Sequence, residues 1–197
     1  MDATVTPTIQ SVPCAALAAG VSPALRPALD SDRDFLREVF ISTRAAEFAG
    51  IDREPAYIND LLAQQFTLQD SYYRRHYPHA HFDLVTCDGA NVGRLYHHWG
   101  STEVRLIDIA LMPFYRGLGL GTQLMRALVA EAAKRGLAIS LYVEMQNPVR
   151  ALYQRLGFVK SGENGVYEIM RREAGPSHHV VPQPGGDRDL SQLFSQA

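Results

Sequence analysis

A chain of 197 residues, 46% hydrophobic and 20% charged, carries enough apolar material for one core and gives no reason to expect a second domain. Its net charge of −2 makes no electrostatic case for nucleic acid or an anionic membrane as partner, and no apolar run approaches the roughly 18 residues of a membrane span. Cys14 and Cys87 stand far apart in unlike contexts, so neither a disulfide framework nor a zinc site follows, and the chain reads as cytoplasmic.

Residues 1–22 are rich in Ala, Thr, Pro and Ser without periodicity and predict a flexible tail, and residues 174–197 read the same way. The expected folded unit is 23–173. Residues 25–29 predict a short strand that Pro27 confines to an edge. Asp30 or Ser31 can then cap a helix whose apolar face is Phe35, Leu36, Val39 and Phe40. Pro55 suits the first turn of a longer helix with Ile58, Leu61, Leu62 and Phe66 on one side, ended by Pro78.

Residues 81–87 and 91–99 predict two strands joined by Asp88-Gly89, a hairpin signal. His97 and His98 point to opposite faces of the second strand, which makes one of them a candidate to approach a site. Residues 104–111 form a third strand, and their nearly continuous apolar run predicts burial on both faces. A helix over 119–135 with Leu120, Leu124 and Leu128 four apart stops at Gly136. A strand over 137–143, a short helix over 148–156 and a hairpin through Asn164-Gly165 complete the order β-α-α-β-β-β-α-β-α-β-β.

The densest signal lies at residues 111–122, Leu-Met-Pro-Phe-Tyr-Arg-Gly-Leu-Gly-Leu-Gly-Thr. An apolar strand runs into an arginine, alternating glycines and a helix, an order that suits a pyrophosphate. Glycine backbone N–H groups converge on the anion, the helix start adds its dipole, and Arg116 adds a full charge. Rival phosphate motifs do not fit. A Walker loop needs lysine where Thr122 follows Gly121, and a dinucleotide fingerprint needs glycine at Thr122 itself. A turn without a ligand would need one glycine, and each extra one costs several tenths of a kcal/mol.

This run, the later segment Asn147-Pro-Val-Arg-Ala-Leu-Tyr-Gln-Arg-Leu-Gly-Phe158 and the element order resemble the GCN5-related N-acetyltransferase (GNAT) superfamily. The resemblance is close over 90–173 and is one of element order over 23–90. It implies an α/β fold with a mixed, mostly antiparallel central sheet flanked by helices. It also implies acetyl-CoA as acyl donor, with no metal, and transfer of the acetyl group to a primary amine by direct attack in a ternary complex.

By the same resemblance the backbone of Gly117, Leu118, Gly119, Leu120, Gly121 and Thr122 binds the CoA pyrophosphate. Ile109, Ala110 and Leu111 offer main-chain groups to the pantetheine and the acyl carbonyl, because this strand splays from its successor. Asn147 would contact CoA, although Asn147-Pro148 is also what a plain helix cap looks like, and it lies six residues before Tyr153 where seven is the commoner spacing.

Three chemical needs follow. The Tyr153 hydroxyl would protonate the departing thiolate, and backbone N–H near Leu111 would hold the oxyanion. Asp108, an acid in an apolar strand, is the first candidate for base and Glu144 the second. Asp108 could equally be paired with Arg105 or Arg94 or cap backbone. Residues 42–60 and 64–77 would wall the acceptor, with Arg44, Glu47, Gln65, Gln69 and Tyr73 as polar groups. His76, His79 and His81 have metal-like spacing, but Pro78 interrupts them and no Cys or carboxylate completes a set. Cys87 has no basic neighbour to activate it. The rival function is a non-catalytic acetyl-CoA sensor or scaffold, and a homodimer is compatible with either.

Overall fold

Strand and helix periods sort the apolar residues onto two faces of one sheet in a computed structural model that describes residues 22–48 and 54–174. The tails expected over 1–22 and 174–197 lie, save for Ser22 and Ala174, outside the described residues. In chain order the elements are β1 (Ala24–Pro27), α1 (Arg33–Arg44), α2 (Pro55–His76), β2 (His81–Cys87), β3 (Ala90–Trp99) and β4 (Glu103–Leu111). They continue with α3 (Leu120–Lys134), β5 (Ala138–Glu144), α4 (Arg150–Arg155), β6 (Val159–Asn164) and β7 (Tyr167–Arg172). This is the predicted order.

The seven strands lie in the order β1-β2-β3-β4-β5-β7-β6, all neighbours antiparallel except β4 and β5. Adjacent residues of β2 enter opposite faces. Val85 joins Leu95, Val104, Leu106, Leu124, Leu128, Ile139 and Leu141 in one core, beside α3. Leu84 joins Leu36, Phe40, Leu62, Phe66 and Tyr96 in a second, beside α1 and α2. Ile107 of β4 packs against this second core, so the strand is covered on both sides as its composition predicts.

The predicted Asp88-Gly89 hairpin forms with positive φ at both residues (49° and 79°), the mark of a type I′ turn. The last hairpin differs by one position. Asn164 pairs with Tyr167, so Gly165-Val166 is the loop, and Gly165 at φ 63° supplies the left-handed residue.

The cap expected at Asp30 or Ser31 also moves. Asp30–Asp32 form a 3₁₀ turn, and the Asp32 carboxylate accepts the Leu29 N–H at 2.8 Å and both Arg26 Nη atoms at 2.7 Å. This pairing fastens β1 to the start of α1. The Arg26 hydrogen bonds, aided by the Leu29 N–H, hold the Asp32 carboxyl down to about 2. A carboxyl depressed in the fold contributes stability that is complete above its unfolded value near 4 and is lost as pH falls toward 2. Denaturant midpoints measured from pH 5 to pH 2 should therefore fall less in Asp32→Asn than in the parent chain.

Candidate functional site

Two departures from regular pairing shape one end of β4. The ladder with β3 shifts register between Tyr96 and His97, so Ile107 is an extra residue on β4. A bulge of this kind re-aims the side chains that follow. Before it Val104 and Leu106 face α3; after it Ile109 and Leu111 do, and Asp108 turns to the α1–α2 side.

The second departure is the splay expected from the resemblance. The parallel ladder of β4 and β5 holds four pairs, Glu103 with Ala138 to Leu106 with Leu141, and then stops. Beyond it β4 remains paired to β3 as far as Leu111, and β5 keeps only β7, on its other edge, as far as Glu144. The edge of β4 over 107–111 that faces β5 is thereby left without a strand partner, and its main chain can serve a ligand. Gly93 holds the far side of this segment close: a Cβ there would lie 2.3 Å from the Ala110 carbonyl oxygen. Sequence reasoning did not single out Gly93, although an isolated glycine inside a strand is a signal of close backbone approach.

From Leu111 the chain passes through a 3₁₀ turn, Pro113–Tyr115, into the glycine run. Gly117 and Gly119 have φ of 75° and 85°, and nothing lies within 4 Å of where a Cβ would stand on either. Gly121 has ordinary φ and sits in the first turn of α3, where a Cβ would meet only Leu111 Cδ1 at 4.0 Å. The alternating glycines therefore divide in role: two satisfy the backbone, and the third leaves space open. Leu118 and Thr122 continue the loop into α3, while the Leu120 side chain is buried in the core.

Arg116 does not stand free beside this loop. Its Nε donates to the Leu111 carbonyl at 2.7 Å, and Nη2 donates to the Ser42 carbonyl and hydroxyl at 3.1 and 2.8 Å. These acceptors are neutral, so the guanidinium is oriented without losing its charge to a carboxylate, and it links β4 to the last turns of α1. Asn147 likewise has a local use: its Oδ1 accepts the Val149 N–H at 3.0 Å, an Asx turn ahead of α4, whose cap position is Val149 and not Asn147.

Asp108 is paired, and the partner is Arg94. The Arg94 Nη2 donates to Asp108 Oδ2 at 2.6 Å and to Gln69 Oε1 at 3.1 Å, joining β3, β4 and α2 at one atom. The Arg94 side chain is 3% exposed and lies over the Tyr96 ring at 5.3 Å. Its Nε and the Tyr96 hydroxyl are buried and have no hydrogen-bond partner among the described residues. Sequence reasoning named Arg94 only as one possible partner. The stronger signal was that Arg94 and Asp108 each stand among apolar residues of a buried strand, where a charge must be met by an opposite one.

Tyr153 of α4 lies in the α3-side core with its ring centroid 5.8 Å from that of Phe158. Burial raises its phenol far above the ordinary range, and the Asp108 charge adds to the rise. The phenol of Tyr73 is raised by the same two causes, opposed by Arg94. Asp108 thus sits within electrostatic reach of Tyr153, Tyr73, Tyr96 and Arg94, from α4, α2 and β3.

Among the residues expected to wall an acceptor, Arg44 pairs with Glu47 at 2.9 Å and with Glu144 at 3.7 Å, joining α1 to the end of β5. Gln69 and Tyr73 are brought to the Arg94 cluster, whereas Gln65 is exposed on α2 and joins no described partner. The histidines lie elsewhere. His97 contacts Asp83 on the α3 side at 3.2 Å and stacks on His81; His98 lies beside Tyr77, in register with Arg105; His76 stacks on Tyr72. Cys87 is buried in the core, and burial pushes its thiol up. Among the described residues no helix is long and apolar enough to cross a membrane.

Comparison with known proteins agrees with this geometry. The family model described as "Acetyltransferase (GNAT) family" matches residues 47–158, more than half of the chain. A curated relative in Haemophilus influenzae, a [ribosomal protein bS18]-alanine N-acetyltransferase, is 27% identical over 94 residues. That match covers 47% of this chain and 56% of the relative, so it spans little more than half of the relative's length. Among solved structures, the PaiA N-acetyltransferase of Thermoplasma acidophilum in complex with coenzyme A is 22% identical, with a TM-score of 0.59. The alignment covers 77% of this chain and 99% of that one. An acetyltransferase from Thermus thermophilus gives a TM-score of 0.55 at 22% identity, covering 77% of this chain and 97% of the other. At these identities the solved structures speak for the fold.

Proposed function

This chain belongs to the acetyltransferase (GNAT) family, and we propose that it transfers the acetyl group of acetyl-CoA to a primary amine by direct attack in a ternary complex. The observation that carries the proposal is the early end of the β4–β5 ladder at Leu106 and Leu141. It leaves the β5-facing edge of 107–111 without a strand partner, beside a glycine run with positive φ at Gly117 and Gly119. A pyrophosphate suits the N–H groups of Gly117, Leu118, Gly119, Leu120, Gly121 and Thr122 and the start of α3. A pantetheine arm suits the free edge of Ile109, Ala110 and Leu111. Arg116, oriented by neutral acceptors, adds positive charge to the anion site. Asn147, its side chain engaged by the Val149 N–H, contributes by shaping the turn before α4.

In the reaction the amine nitrogen bonds to the acetyl carbon, the C–S bond breaks, the nitrogen gives up a proton and the thiolate gains one. Tyr153, protonated throughout the working range, is the proton source for sulfur, and backbone N–H near Leu111 faces the developing oxyanion. Asp108 orients the incoming amine through its charge. The acceptors named for the curated relatives are amines on a protein, which makes peptide amines the first class to assay.

Release of free CoA from acetyl-CoA, followed with a thiol reagent across peptide and small primary amines, tests the proposal. Amine-dependent release is expected. Tight acetyl-CoA binding with no release for any amine would instead establish the sensor.

A further inference from the structure

The two helices that cover the second core present different surfaces to solvent. The exposed positions of α1 are Arg33, Asp34, Arg37, Glu38 and Thr43, all polar, as the outer face of a helix requires. On α2 the row Ile58, Leu62, Phe66 and Tyr73 packs into the core. Turned from it by roughly 140° runs a second apolar row, Tyr57, Leu61, Leu68 and Tyr72. None of these four belongs to either core, and Tyr57, Leu68 and Tyr72 are 59%, 72% and 52% exposed.

This outer row is symmetric under reversal. Read outward from Gln64-Gln65, equal steps in the two directions reach Leu61 and Leu68, then Tyr57 and Tyr72, then Glu54 and Arg75. The apolar steps match in kind, and the ends, both exposed, carry opposite charges. The spacing of three and four keeps these side chains on one stripe. Ala63 and Thr67 are short and leave a shallow depression beside Gln64 and Leu68, so a second helix can come close at the middle of the stripe. An unrelated partner would need only a complementary stripe. Reversal symmetry is what an isologous contact demands, because a two-fold axis sets residue i of one copy against residue j of the other and j against i.

We infer that two copies of this chain pair through α2, antiparallel, about a two-fold axis that passes at Gln64-Gln65. Leu61 of each copy packs on Leu68 of the other, Tyr57 on Tyr72, and Glu54 meets Arg75 at both ends of the contact. Gln69 and Tyr73, which α2 brings to the Arg94 cluster, lie on the opposite side of the helix, so the pair forms without using them. A helix of 22 residues is about 33 Å long and 10 Å wide, a footprint below the roughly 800 Å² per partner of a standard interface. Association is therefore of micromolar order.

The pairing stands apart from the transferase proposal, and its test reads association rather than activity. Sedimentation of the full chain from about 1 to 200 μM should show a monomer–dimer equilibrium. Leu68→Glu should raise the dimer dissociation constant by about 100-fold or more, since each interface loses two leucine contacts and gains two charges, while the melting curve of this exposed position stays unchanged. A monomeric parent at the highest concentration, or a dimer that survives Leu68→Glu, would overturn the inference. Oxidative cross-linking in a Cys14→Ser background, with Cys87 buried, reads the direction independently. Gln64→Cys lies at the axis and should cross-link to itself. Tyr57→Cys alone should not, because the two copies of that position stand about 22 Å apart along the helices, whereas Tyr57→Cys combined with Tyr72→Cys should. Cross-linking by Tyr57→Cys alone, or none by Gln64→Cys, would overturn the antiparallel pairing.

Discussion

Replacing Tyr153 with phenylalanine lowers kcat by about 100-fold or more, while the KM for acetyl-CoA changes little. The ring lies in the core against Phe158, so phenylalanine keeps the packing and removes only the oxygen. That oxygen's proton is held firmly: burial and the Asp108 charge both disfavour the phenolate. The same low-polarity surroundings would raise the proton affinity of a thiolate formed beside the ring, so the phenol can give its proton to the sulfur as it departs. Loss of a positioned acid acts on the transition state alone, which is why the effect belongs to kcat. Initial rates of CoA release at saturating acetyl-CoA, beside a thermal melt of each protein, make the measurement. Undiminished kcat in a variant with unchanged melting would assign the tyrosine to packing.

The order of elements was legible because its signals are local. Leucines four apart in 120–128, the Asp88-Gly89 turn and Gly136 after α3 each act within one element, and each appears where its chemistry points. The shifts arise where two signals compete over one or two residues. Asn164-Gly165 is a strong turn pair, yet the pairing of Asn164 with Tyr167 places the left-handed glycine first in the loop. Asp30 and Ser31 were plausible caps, but Arg26, six residues before Asp32, draws that carboxylate into β1.

The site was legible only where one segment builds it. The glycine run and the helix bearing Tyr153 could be read directly. Asp108 could be found as a misplaced charge, but its partner is set by sheet order and by the bulge at Ile107, which sequence periodicity does not encode. The same holds for Arg116. A sequence shows a cation beside glycines; the fold adds that α1 supplies Ser42 to orient it. The proposed donor features are contiguous in the chain, whereas the proposed acceptor features come from α1, α2, β3 and β5 and converge only in three dimensions.

Gly121→Val raises the dissociation constant for acetyl-CoA by about 100-fold or more without shifting the melting temperature by more than a few degrees. The choice of glycine matters. At Gly119, φ of 85° is a conformation that a β-branched residue resists, so a substitution there reshapes the loop whether or not a ligand exists. At Gly121 the backbone is ordinary, and a Cβ touches only one leucine methyl at 4.0 Å. Helix propensity does not oppose the change, because valine ranks above glycine in a helix, so the free protein loses little. Its branches instead occupy the space over the first turn of α3, where a pyrophosphate oxygen must come within hydrogen-bond distance of main-chain N–H groups. Hydrogen bonds to charged groups contribute about 1.5–3 kcal/mol each, and the loss of two gives at least the 100-fold expected. Titration calorimetry with acetyl-CoA and a melt without ligand read the two effects separately. An unchanged dissociation constant would mean that nothing approaches this face, and the pyrophosphate site would have to be sought elsewhere on the protein.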